Sequence, residues 1–356
     1  MHGRLAVPTL IRMDTDHAQG TYDEALERLH RSGPERLGRL TNHAPMVVEA
    51  LAARGRSDAV HRWLDRYEGK LEEFPPGFEP VTEAGWREAL GDPRRLADWI
   101  DHFRRAVAEW PWRDVLVEWW PRLLPGLCGG STHPVIRVGH AVRALLHGGE
   151  TAPRIAELAQ GLGYWAARHR PVTGIVPISG AGGAAGAAGA LDRVPRIRDG
   201  VPDGFPARLA AVERLPVWAA DTTEPDLAAK RLTGLVRAAT HRYATHGHGE
   251  ETMLVHAATA PNAVFRCLPA LPRALWAPSL QAAWTAAAAV TAMYAPADPL
   301  SVHPTGALDP DEVFGRALTH GDEHVIKLAD TALDVSDEPA LAAVLRAIEL
   351  SAPVAG

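Results

Sequence analysis

The chain has 356 residues, a formal net charge of -6 and a pI near 6.3. Hydrophobic residues make up 46% and charged residues 22%, the balance of a soluble globular protein with enough material for a large core. The acidic balance argues against nucleic acid or an anionic membrane as partner, and two cysteines, Cys128 and Cys267, provide neither a disulfide framework nor a thiolate metal site.

The opening MHGRLAVPTLIRMD has no continuous apolar run of signal-peptide length, so a cytoplasmic setting is expected, with residues 1-20 an N-terminal extension. From there the apolar residues recur at helical spacing. YDEALERLH (22-30) places Leu26 and Leu29 on one side. APMVVEALAARG (44-55) has Pro45 near a helix start and Gly55 at its end. DAVHRWLDRYEGKL, RRLADWIDHFRRAVAEW and PRIAELAQGLGYWAARH follow the same period. No long alternating strand pattern occurs. The spacing predicts an all-α protein, a helical bundle enclosing a buried histidine-rich site, as one domain over 21-350.

STHPVIRVGHAVRALLH (131-147) carries two stripes. One is apolar: Val135, Val138, Val142, Leu145 and Leu146. The other runs His133, Arg137, His140, Ala144 and His147. Pro134 suits the first helical position, which makes His133 the residue before the helix, free to turn toward a partner helix. His147, beside two glycines, reads as a C-terminal cap interacting with the helix dipole.

Residues 172-206, VTGIVPISGAGGAAGAAGALDRVPRIRDGVPDGFP, are rich in glycine, alanine and proline. Gly180, Gly182, Gly183 and Asp199 sit at a suggestive spacing for a dinucleotide loop. However, IVPIS makes a poor entering strand, and a flexible connection is the expected reading. HRYATHGHGE (241-250) is expected to be an exposed loop rather than a metal site. Between Ala274 and Ala297 there is no charge, but Pro278 and Pro296 bracket the run and Ser279 suits an N-cap. The remaining roughly 16 residues reach about 24 Å against a hydrocarbon core of about 30 Å, so a buried helix rather than a membrane span is predicted.

Four segments set histidines beside apolar runs: TNHAPMVVEAL with His43, THPVIRVGHAVRAL with His133 and His140, LVHAATAPNAVFRCLP with His256, and GDEHVIKLAD with His324 and Lys327. One such histidine is an ordinary core residue. Several buried imidazoles in one core imply a shared purpose, because each costs stability unless its nitrogens are paired. Neutral imidazole is also the commonest metal ligand. Two ligands of one ion bring their nitrogens within about 4 Å. His133 and His140 lie about 10 Å apart along a helix, so they are not expected to bind the same ion. Lys327, four residues after Glu323, has an alternative reading as half of a surface ion pair.

Together NHAPM, THPVIRVGHAVRAL, RIAELAQGLGYWAAR, HAATAPNAVFRCLPAL and DEHVIKLAD, with ALGDPRRLADW at 89-99, resemble the questin oxidase-like family. The resemblance implies oxygen chemistry on aromatic polyketides, such as oxidative opening of an anthraquinone ring, with dioxygen and a small aromatic molecule as partners. It implies NADPH as a reductant in the family's namesake. For some relatives it implies non-heme iron, Fe(II), held by four histidines and a carboxylated lysine. Carried onto this chain, that set is His43, one of His133 and His140, His256, His324 and Lys327, with His133 the choice for the metal. Arg137 and His140, on the same face, are then expected to bind or deprotonate a phenolic oxygen. Trp119, Trp120 and Trp165 are candidates for an aromatic pocket wall, with core packing as the alternative. No flavin or nicotinamide motif stands out, which favours a metal as the oxygen-activating centre. The competing readings are an NADPH-dependent Baeyer-Villiger-type enzyme without a metal, a helical small-molecule binding protein, and a zinc hydrolase or lyase using the same histidines.

Overall fold

The computed structural model describes residues 20-179, 186-302, 304-306 and 308-354. Its long helices, in chain order, are α1 (20-29), α2 (Ala44–Ala53), α3 (Ser57–Tyr67), α4 (Leu96–Glu109), α5 (Trp112–Leu123), α6 (His133–Gly148) and α7 (Ala152–Arg168). After the Gly-rich connection come α8 (Pro225–His246), α9 (His256–Cys267), α10 (Trp276–Tyr294), α11 (Pro310–His320), α12 (Glu323–Val335) and α13 (Glu338–Leu350). The all-α expectation holds. The described strands are two short pairs, Glu35–Arg36 antiparallel to Leu40–Thr41 and Val176–Ile178 parallel to Arg214–Pro216.

Two local expectations change. IVPIS does form a strand, Val176–Ile178, and Pro177 is tolerated because each strand of a two-stranded pair has a free edge. Gly180, Gly182 and Gly183 lie outside the described residues. The uncharged helix α10 starts at Trp276, so Pro278 sits in its first turn and Ser279 is not its cap. The Ser279 hydroxyl instead donates to the Leu275 carbonyl at 2.6 Å and accepts from the Trp120 indole at 2.8 Å. No helix among the described residues is long and apolar enough to cross a membrane.

The core draws on both sides of the connection: α6 packs on α7, α9 and α2, and α12 packs on α2 and α9. Trp119, Trp120 and Trp165 are buried in this core, with Trp120 and Trp165 edge to face at 5.4 Å. Glycine sets the closest helix contacts. A Cβ at Gly139 of α6 would lie 2.6 Å from the Ala263 Cα of α9. One at Gly163 of α7 would lie 2.6 Å from the Ile100 Cα of α4.

A buried ion network binds α2, α6, α9 and α12 together. Asp330 of α12 is fully buried and accepts from three guanidinium groups, Arg54 at 2.7 Å, Arg143 at 2.9 Å and Arg266 at 2.8 Å. Arg143 of α6 also donates to Glu49 of α2 at 2.9 Å, and His140 meets the same carboxylate at 2.6 Å. Arg266 of α9 reaches Asp334 at 2.6 Å, where Asn262 also donates at 2.9 Å. Burial alone would raise these carboxyl pKa values. The surrounding arginines more than offset it, holding Asp330 well below the usual carboxylate range and Glu49 at about 2. A second pair ties α6 to α7: Arg137 grips Glu157 through two bonds of 2.5 and 2.8 Å. Glu157 also meets His30 at 2.9 Å, and it too is held at about 2 despite burial.

Two predictions follow from this packing. Gly139→Ala drives a methyl into backbone and should destabilise by about 1–3 kcal/mol or more, whereas Gly234→Ala in α8, with open space around it, should stabilise by up to about 1 kcal/mol. Chemical denaturation of both variants against the parent reads the contrast. Glu49 and Glu157 titrate near 2 when folded and near 4.3 when unfolded, so their stabilisation is complete above about pH 5 and fades as pH falls toward 2. Thermal melts from pH 6 to pH 2.5 should show that loss. Glu157→Gln should remove its share of the slope and, by leaving Arg137 buried without its anion, cost about 3–5 kcal/mol at pH 7.

Candidate metal centre

Four histidines stand at the N-terminal ends of four helices. His43 immediately precedes α2, His133 and His256 open α6 and α9, and His324 is the second residue of α12. Each start is built locally. Asn42 accepts from the Ala44 N–H at 3.1 Å, and the His43 N–H donates to the Tyr67 hydroxyl at 3.0 Å. Asp322 caps α12 by accepting from the His324 and Val325 N–H groups at 2.9 and 3.1 Å. Before α6 the backbone passes through three successive left-handed residues, Gly130 (φ 54°), Ser131 (φ 55°) and Thr132 (φ 67°). For Ser131 and Thr132 this costs on the order of 1–3 kcal/mol each. The turn delivers the Gly130 carbonyl to His133 Nδ1 at 2.9 Å.

The four imidazoles meet. His43 Nε2 lies 2.8 Å from His133 Nε2, and His256 Nε2 lies 2.9 Å from that same nitrogen. The His324 ring sits 4.6 Å from the His43 ring, centre to centre, and His43, His133 and His324 each bring a nitrogen within 4.8 Å of the others. Tautomers give this contact its meaning. His133 Nδ1 donates to the Gly130 carbonyl and His256 Nδ1 to the Met253 carbonyl at 3.1 Å. A neutral imidazole has one N–H, so with Nδ1 protonated both Nε2 atoms are lone pairs. Two lone pairs then face each other at 2.9 Å with no proton of their own between them.

A cationic proton is not readily supplied. Burial pushes the pKa of His43, His133 and His324 well below the usual histidine value and that of His256 down to about 3, and the charge of Lys327 lowers all four further. Lys327 is 1% exposed, and its Nζ has no hydrogen-bond partner among the described residues. Burial brings it down to about 7 despite Glu323 and Asp322 nearby. The surface ion pair considered for it is not formed. Glu323 is itself buried, lies 3.1 Å from the Lys70 ammonium and 3.7 Å from His43 Nδ1, and leaves Lys327 unbonded. His43 Nδ1 is a second buried nitrogen with no hydrogen-bond partner.

Arg137 and His140, expected to face the substrate, are both buried and neither lines the cavity beside the histidines. Arg137 binds Glu157 through Nε and Nη2, and His140 Nδ1 meets Glu49. They sit on the same stripe as His133 because that stripe faces neighbouring helices along its length; only its N-terminal end reaches the histidine cluster. His147 is exposed in the last turn of α6, where a cap was expected. Residues 241-250 are helical to His246, with His241 on Asp337 at 2.7 Å, rather than the loop expected there. Glu49 and Asp330 went unnoticed in the sequence. The signal was present: Asp330 lies one turn beyond Lys327 and Glu49 two turns beyond His43, inside the same two segments.

A cavity of about 990 Å³ reaches the cluster, with His43, His133 and His324 in its wall. His256 and Lys327 are buried and do not line it. Cys128 also borders the cavity, and burial raises its pKa to about 12, so it remains a thiol. The cavity is large enough for a polycyclic aromatic molecule, lying at the upper end of typical small-molecule sites.

No curated protein matches the chain. The matched family segment carries His43, His133, Arg137 and His140, while His256, His324 and Lys327 lie beyond it. Over residues 40–174 the chain matches the family described as Questin oxidase-like, the family its motifs resemble.

Proposed function

We propose that this protein is an iron-dependent oxygenase that oxidises or cleaves the ring of an aromatic polyketide. The observation that carries the reading is the pair of Nε2 lone pairs on His133 and His256 that face each other at 2.9 Å in a core that disfavours protons. Such a pair is repulsive on its own and becomes favourable around a cation. Nδ1–H groups bonded to backbone carbonyls are the usual means of orienting metal-ligating histidines. His43, His133, His256, His324 and Lys327 would hold the ion. Imidazole with oxygen donors suits iron. Bound in this set, ferrous iron would supply one-electron chemistry toward dioxygen.

An ammonium cannot ligate a cation, so Lys327 needs a different form. Burial favours its neutral amine, and that amine can add to carbon dioxide. The amine nitrogen forms a bond to carbon, one proton leaves to solvent, and an anionic carbamate with two oxygen donors results. Four helix N-termini surround the site, and their partial positive ends favour an anion there. The remaining work is done by position. His43, His133 and His324 present one face of the site to the cavity, the substrate ring enters from that side, and the packed helices behind exclude bulk water.

Lys327→Met tests this reading, because it replaces a buried amine by an apolar side chain of similar length. The metal-free variant should melt at the same temperature as the metal-free parent or higher, since an unpartnered buried amine is costly. Substrate-dependent oxygen uptake should fall by at least about a hundredfold, about 2.7 kcal/mol. Parent protein exposed to ¹³C-bicarbonate should show a carbamate carbon resonance that the variant lacks. Full oxygen uptake by Lys327→Met would overturn the lysine's role.

A further inference from the structure

The charge of the cavity runs against the charge of the chain. The whole protein has 43 acidic and 37 basic residues apart from histidine. The described residues lining the cavity include seven arginines, Arg36, Arg39, Arg168, Arg170, Arg196, Arg198 and Arg208, against four carboxylates, Glu35, Asp199, Asp203 and Glu250. Several of these charges are already spent. Arg168 grips Glu35, and Arg208 donates to the Met293 carbonyl at 2.8 Å with Asp203 at 3.6 Å. Arg198 faces Glu213 at 3.6 Å, Arg36 lies 3.8 Å from Glu323, and Glu250 caps the Met253 N–H.

Three guanidinium groups remain. Arg39, Arg170 and Arg196 are exposed and have no side-chain partner among the described residues. They come from three separate segments: the turn before Leu40–Thr41, the chain just after α7, and the connection before α8. Asp199 is the lining carboxylate left over beside them. Three free guanidinium groups from distant parts of an acidic chain border one cavity that ends on the histidine cluster, and they leave it with an excess of free positive charge. A guanidinium binds an ionised oxygen through paired N–H donors and also stacks on aromatic faces.

We infer that the substrate of this site is an aromatic molecule carrying an ionised acidic oxygen group, a carboxylate or an acidic phenolate, which Arg39, Arg170 and Arg196 recruit and bind. The inference rests on the oxygenase reading for the aromatic ring, while the anion preference stands on the arginines. The free cations also raise the local concentration of an anionic ligand before it docks, an effect that weakens with salt.

The test is equilibrium binding to the metal-loaded protein, read by tryptophan fluorescence, with iron content and oxygen uptake measured on the same sample. The probes are anthraquinone-2-carboxylate and the neutral anthraquinone-2-carboxamide. The carboxylate should bind at least about tenfold more tightly, a difference of about 1.4 kcal/mol, and this preference should shrink between 50 and 300 mM salt. Arg39→Gln, Arg170→Gln and Arg196→Gln should each reduce it, and the triple variant should abolish it with iron content unchanged. A phenolate probe titrated through its own pKa separates the two anion types, and tighter binding of its ionised form also supports the inference. Equal affinity for carboxylate and carboxamide, including none for either, overturns it, as does a preference that survives in the triple variant. NADP⁺ binding that depends on these arginines, without discrimination between the aromatic probes, also overturns it by assigning them to a phosphate. If the oxygenase reading is wrong, iron and oxygen uptake are absent while the carboxylate preference remains.

Discussion

The structure turns on the contact between the Nε2 atoms of His133 and His256 at 2.9 Å. Each ring is fixed by its Nδ1–H to a backbone carbonyl, so neither can rotate its proton into the gap without breaking that bond. Burial opposes adding one from solvent. The protein therefore maintains an arrangement that is unfavourable by itself. Left-handed backbone at Ser131 and Thr132 adds to the cost. Strain and unsatisfied groups gathered at one point are what a binding or catalytic site requires of its scaffold.

The scaffold meets that demand with charge as well as apolar packing. The helices carrying His43, His133, His256 and Lys327 are the four joined by Glu49, Arg143, Arg266 and Asp330, one to three turns beyond the histidine cluster. Asp330 follows Lys327 by one turn of the same helix, so a shift of one helix against the others would strip arginines from a fully buried carboxylate. Such networks add little net stability compared with an apolar core, but they hold one arrangement against near alternatives. Holding an arrangement within tenths of an ångström matters most where lone pairs must converge. Gly139, where α6 and α9 nearly touch, fixes the same pair of helices that bring His133 and His256 together.

Much of this was legible in the sequence. Helical periodicity gave the fold class, and the ordered motifs singled out His43, His133, His256, His324 and Lys327, which the fold gathers from four helices. The step of seven between His133 and His140 was enough to separate their surroundings, because it equals nearly two helical turns. Three features were out of reach. Facing stripes on a helix do not say which neighbour they meet, so the contacts of Arg137 with Glu157 and of His140 with Glu49 could not be read from spacing. Partners in an ion network lie up to 280 positions apart, as for Arg54 and Asp334, and local spacing carries no trace of such pairs. The strand at Val176–Ile178 depends on pairing with Arg214–Pro216, a non-local contact that outweighs the poor strand character of a segment holding Pro177.

The role proposed for this converged set of nitrogens is to hold iron. The most direct measurement is elemental analysis by plasma mass spectrometry of untagged protein purified without oxygen, alongside His133→Ala and His256→Ala variants whose circular dichroism matches the parent. Close to one iron per chain is expected in the parent, with a loss of at least about tenfold in metal affinity in each variant, in the range seen when metal sites lose supporting groups. Parent protein that contains stoichiometric zinc, or that takes up no metal after reconstitution with ferrous iron and bicarbonate, would contradict it.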